Sequence, residues 1–168
     1  MAKPPKFFLP KRLIGVHIEL IADLPLPISR ITLRQCVELN ISEANITMWR
    51  ILYMPEFEEW HTSLTNDEQD ALDVRLELVS LRGPVLGRPY VDRVHQSRHH
   101  NMKEIRLPNG IRVLFAFDIR RSAVLLIGGN KSERDGSSPS WNRWYERMIP
   151  IADQILDRHI TQLRNEEK

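Results

Sequence analysis

The sequence predicts an α+β fold: a small antiparallel sheet packed by two amino-terminal helices, with a helical region at the carboxy terminus. Three observations predict it. Residues 103–127 hold three strand-like runs, two of them joined by Asn109 and Gly110, a sharp hairpin signal. Ahead of them, Thr65 with Glu68 three residues on forms a capping box before Leu72, Leu76 and Val79, which are spaced i, i+4, i+7. Behind them, Trp141, Trp144, Tyr145, Met148, Ala152, Ile155, Leu156 and His159 recur at helical spacing. One sheet covered by helices is the layer arrangement that buries these faces.

Residues 1–47 carry Pro4, Pro5, Pro10, Pro25 and Pro27 and show no sustained period. They are expected to stand apart from a domain spanning 48–168, and a chain starting at Met48 is expected to fold without them. Residues 49–53 (WRILY) are rich in β-formers and suit a first strand. Pro55 fits the first turn of a helix that contains Phe57 and Trp60. The second helix ends before Gly83 and Pro84, and its outer face is acidic. Residues 85–101 read as a loop and 103–107 as a short strand. In the strand at 111–118, Ile111, Val113, Phe115 and Phe117 face one way, and Arg112, Leu114, Ala116 and Asp118 the other. Residues 122–127 are mostly apolar, as a central strand covered on both faces requires, and Gly128 and Gly129 are expected to end it. A polar loop over 130–138 leads to Pro139, which opens the last helical region. Pro150 inside that region is expected to mark a kink or a second start.

A chain of 168 residues fits one domain of ordinary size, and 42% apolar with 27% charged residues is normal for a soluble protein. The single cysteine, Cys36, excludes an internal disulfide. No apolar run approaches the roughly 20 residues of a membrane span. Lys11 and Arg12 interrupt the apolar stretch after Lys3 and Lys6, so no cleavable leader is expected. A reducing cytoplasm is the expected compartment. The net charge is only +2, but its distribution is uneven. Residues 54–81 carry Glu56, Glu58, Glu59, Asp67, Glu68, Asp70, Asp73 and Glu77 against Arg75 alone. Residues 88–121 carry Arg88, Arg93, Arg98, Lys103, Arg106, Arg112, Arg120 and Arg121 against Asp92, Glu104 and Asp118. A basic stretch set on sheet strands suggests a cationic groove able to hold a phosphodiester backbone.

From residue 48 to about 163 the chain resembles the RelE/ParE superfamily of bacterial toxins, in its phage-derived, HigB-like branch. The matching pieces are EFEEW at 56–60, RGP at 82–84, GRP at 87–89, MKEIR at 102–106, RVLFAFD at 112–118, LLIGGNK at 125–131, WY at 144–145 and IPIAD at 149–153. Their order and spacing carry the resemblance. It implies a RelE-like fold and the toxin of a type II toxin–antitoxin pair. It also implies a ribosome-dependent mRNA endoribonuclease that inhibits translation, and a helix-turn-helix antitoxin as partner. Two other readings are open: a ParE-like inhibitor of DNA gyrase that cleaves nothing, and an inactive phage-derived remnant that only binds its antitoxin.

Metal-free RNA cleavage uses the 2′-OH as nucleophile and needs a base, an acid and cations on the phosphorane. No cluster has metal-ligand spacing, so no cofactor is expected, and cations must supply the electrostatics. The resemblance carries Arg106 and Arg112 over as phosphate-binding arginines, a role that suits a planar bidentate fork. Lys131 follows the last strand where relatives also carry lysine. Lys103 is a candidate base, although three residues' separation on a strand points it away from Arg106. Arg98, His99, His100, Arg120 and Arg121 are the residues expected to meet RNA. Arg112 is expected on an accessible face. Trp144 and Tyr145 read first as core. The long carboxy-terminal helix departs from relatives that end in a catalytic tyrosine on a short tail, so the general acid is left open.

Overall fold

The computed structural model describes residues 6–8, 48–131 and 141–167. Its strands are β1 (Lys6–Phe8), β2 (Arg50–Tyr53), β3 (Val91–Arg93), β4 (Met102–Arg106), β5 (Ile111–Phe117) and β6 (Ser122–Asn130). Its helices are α1 (Pro55–Thr62), α2 (Asn66–Arg82) and α3 (Trp141–Glu166), with a 3-10 turn at Gly83–Val85. The strands form one sheet in the order β1-β2-β6-β5-β4-β3. The polar loop expected over 130–138 and the helix start at Pro139 fall largely outside the described residues, as do residues 9–47.

The fold is α+β, with the three expected strands β4, β5 and β6 paired antiparallel. Two features differ from the expectation. The sheet is mixed, because β2 pairs parallel with β6, Ile51 opposite Ala123 and Tyr53 opposite Leu125. The chain leaves β2 through α1 and α2, crosses to the far edge, and returns through the meander β4-β5-β6. The expected loop also contains β3, which pairs antiparallel with β4. Three residues are too few to show a period of two. Within the amino-terminal segment, Lys6–Phe8 pairs antiparallel with β2 as an edge strand.

Each face of the sheet is covered. One core joins Ile51, Val113, Phe115 and Leu125 to Phe57, Leu72, Leu76 and Val79 of α1 and α2. The other joins Leu52, Leu114, Val124 and Leu126 to Trp144, Ala152, Ile155 and Leu156 of α3. Each fully buried Leu, Ile, Val or Phe among them contributes roughly 1.5–3 kcal/mol. The capping box on α2 is formed, Thr65 Oγ1 accepting from the Glu68 N–H and the Glu68 carboxylate accepting from the Thr65 N–H. Helix α3 runs unbroken through Pro150 and does not restart there.

Strand β6 continues past the point where Gly128 and Gly129 were expected to end it. The two glycines serve the layers above and below. A Cβ at Gly128 would lie 2.1 Å from the Trp60 ring, and one at Gly129 would lie 2.5 Å from Trp144 Nε1. Each indole lies directly on the strand backbone, one on each face. A bulge between β5 and β6 puts Leu126 and the adjacent Ile127 against the same core, which rephases the alternation so that Gly129 faces α3.

Candidate anion-binding site

The register of the meander gathers the cations. Arg106 lies opposite Arg112, and Arg112 opposite Gly129. Both arginines therefore sit on the α3 face, at the end of the sheet where the Asn109–Gly110 turn joins β4 to β5. Lys131 closes this end, its N–H bonded to Gly110 O at 3.1 Å.

Arg112 is not on an open face. It is 6% exposed, because α3 packs over the surface that strand alternation assigned to solvent. Its Nη1 donates to Leu107 O at 2.8 Å and Ile111 O at 2.7 Å, tying the guanidinium to its own hairpin. Its Nε is buried, makes no hydrogen bond, and lies 3.9 Å from Glu104 Oε2. Its charge at this atom is met by the Glu104 carboxylate as an ion pair.

A carboxylate sits at the centre. Glu104 accepts from Tyr145 Oη at 2.5 Å, and its Oε1 is 3.6 Å from Arg106 Nε. Arg106 also reaches Asp92 at 3.3 Å, and Asp92 pairs with Arg88 at 2.7 Å. Burial first, then the hydrogen bond and the charge of Glu104, push the Tyr145 phenol up to about 12. At neutral pH it is a proton donor. Burial, with the charges of Arg112 and Arg106, draws Lys131 below its ordinary value, although Glu104 opposes this. Beside Tyr145, a cleft of about 480 Å3 opens between α3 and residues 96–98, lined by Gln96, Arg98, Ile149, Asp153 and Gln154 among others.

The structure separates the other expected residues from this cluster. Lys103 points to the opposite face, where Nζ donates to Pro84 O at 2.7 Å and lies 5.7 Å from the Phe117 ring. Burial lowers its pKa, but no arginine of the cluster shares its face. Arg98 and His99 both bind Asp157 of α3, His99 at 2.8 Å, while His100 is exposed. Ser97 Oγ and the Arg98 N–H donate to Asp153, so this stretch is fastened to α3. At the opposite end of the sheet, Arg120 pairs with Glu166 at 2.6 Å and Arg121 lies 5.0 Å from the Trp49 ring. Glu104 was not among the expected site residues, and Tyr145, able to supply a phenol, was read first as core. The signal was present: pairing MKEIR with IRVLF across the Asn-Gly turn puts Glu104, Arg106 and Arg112 on one face.

Comparison with known proteins shows the family of the chain. The family described as phage derived protein Gp49-like matches residues 59–157, more than half of the chain. The chain belongs to this family. A protein of Mycobacterium tuberculosis (strain ATCC 25618 / H37Rv), provisionally named toxin HigB3, is 45% identical over 106 residues, covering 62% of this chain and 87% of its own. A second from the same organism, provisionally named toxin HigB2, is 36% identical over 110 residues, covering 63% of this chain and about half of its own length, 52%. This Gp49-like chain is thus HigB-like, a toxin of the toxin–antitoxin kind. None of its described helices is long and apolar enough to cross a membrane.

Proposed function

We propose that this Gp49-like protein is an endoribonuclease that cuts mRNA on the ribosome, restrained by a helix-turn-helix antitoxin. The observation that carries the reading is the convergence of Arg106, Arg112 and Lys131 at one end of the sheet. Guanidinium forks match phosphate oxygens, and in a site shielded by α3 their charge is worth far more than in water. In the reaction the ribose 2′-oxygen forms a bond to phosphorus and the bond to the 5′-oxygen breaks. The 2′-OH loses its proton and the leaving 5′-oxygen gains one. Arg106, Arg112 and Lys131 neutralise the phosphorane, and Tyr145 is the protonated group next to them. Arg98, His99 and His100 extend the RNA path along the α3 edge. Lys103 has no direct part in this scheme.

The test is induction in cells followed by primer extension on mRNA. Wild type arrests growth and produces discrete cut sites. Arg106→Ala and Lys131→Ala, both at partly exposed positions, reduce cutting at least tenfold without loss of fold. Growth arrest with intact mRNA and stalled replication would replace this reading with gyrase inhibition.

A further inference from the structure

Glu104 is out of place in a site built to hold an anion. It is 7% exposed, lies on the cationic face, and repels the phosphate that the cluster is proposed to bind. A buried carboxylate persists when it is paired and hydrogen-bonded, and here the pairing comes from Arg106, Arg112 and Tyr145 together. We propose that Glu104 is the positioning residue of this site, the internal counter-ion that aims the Arg106 and Arg112 guanidiniums and the Tyr145 hydroxyl at one point. This rests on the anion-site reading above and adds a residue whose effect on binding is opposite to its effect on turnover.

Two details support it. The contacts from the arginines, 3.6 Å and 3.9 Å, are ion-pair distances beyond hydrogen-bond length, so Glu104 orients the forks without consuming their donors. The contact with Tyr145, at 2.5 Å, is a short charge-assisted bond. It keeps the phenol protonated and fixes the hydroxyl beside the cluster, its proton directed at the Glu104 carboxylate. Tyr145 in turn is fixed by Trp144, stacked edge-on at 4.9 Å, and Trp144 is seated on Gly129. The line from Gly129 to Glu104 is continuous.

Glu104→Gln in the full chain tests this with three measurements. Removing the negative charge should tighten binding of inorganic phosphate and of an uncleavable 2′-deoxy oligonucleotide several-fold, read by calorimetry. It should lower the Tyr145 titration midpoint, followed by phenolate absorbance against a Tyr145→Phe control. It should reduce kcat for RNA cutting at least tenfold without raising KM. Unmoved phosphate affinity and an unmoved tyrosine would show that Glu104 is not the counter-ion of this site, and an unmoved kcat would show that it aims nothing; either result overturns the proposal. Glu104→Asp, which keeps the charge on a shorter arm, should retain wild-type phosphate affinity but lose kcat; full kcat in it also overturns the proposal, and it serves if the glutamine variant does not fold. The anion and tyrosine measurements involve no RNA cleavage. If wild type cuts no RNA while they behave as stated, the nuclease reading fails and the role of Glu104 stands.

Discussion

Arg112 binds the carbonyls of Leu107 and Ile111 inside its own hairpin while its remaining edge faces Glu104. The side chain is therefore structural and site-facing at once, which changes what its removal reports. Arg112→Ala would leave two carbonyl contacts unmade and Glu104 poorly compensated. Its expected cost is about 2–4 kcal/mol of stability, seen as a lower urea midpoint. A variant as stable as wild type would show that the guanidinium is free to face solvent. Loss of toxicity in Arg112→Ala is thus no proof of phosphate binding, and Arg106, with a side chain 30% exposed, is the cleaner probe. The alternation of IRVLFAF was fully legible in the sequence, and both cores confirm it. The covering of its polar side was not, because alternation states which residues share a face and is silent on what packs there.

At the scale of elements, α3 is fastened to the sheet by more than apolar burial. His159 meets Asp118 at 3.1 Å, both nearly enclosed, and the Asp118 carboxylate also accepts from the N–H groups of Arg120 and Ser122. One carboxylate thus closes the β5–β6 turn and ties it to the helix. Burial alone would raise the Asp118 pKa, but the hydrogen bonds and the His159 charge outweigh it and hold the value below the usual carboxylate range. The sign follows from linkage: a carboxylate lowered in the folded state stabilises above its unfolded pKa near 4, and that contribution is lost as pH falls through the folded value. Asp118→Asn should cost about 1.5–3 kcal/mol at neutral pH and flatten the loss of stability below about pH 4. Equal acid slopes for the variant and wild type, by urea titration, would count against it. Both partners were visible in the sequence as an end-of-strand aspartate and a helical histidine, but their meeting across 41 residues was not. The same holds for the parallel β2–β6 pair, whose order comes from chain return and leaves no mark in either strand's residues.

Across the whole molecule, charge is segregated by layer. The acidic outer surfaces of α1 and α2 cover one side of the sheet. Arg106, Arg112 and Lys131 converge at one end of the other, so a net charge of +2 conceals a directed field. Single-stranded nucleic acid loses affinity with salt at a slope of about 0.7 per neutralised phosphate. Three engaged cations give a slope near 2, or an affinity drop of about twentyfold between 50 and 200 mM salt. Fluorescence anisotropy with a 2′-deoxy oligonucleotide measures this without cleavage. Arg106→Ala should reduce the slope by about 0.7 and weaken binding for every sequence alike, because a phosphate contact carries no base information. Lys103→Ala should leave the slope unchanged, since its ammonium is on the α1 and α2 face, bonded to Pro84 O. A slope that falls with Lys103→Ala and not with Arg106→Ala would move the nucleic-acid path to the α1 and α2 side and dismantle the site drawn around Glu104.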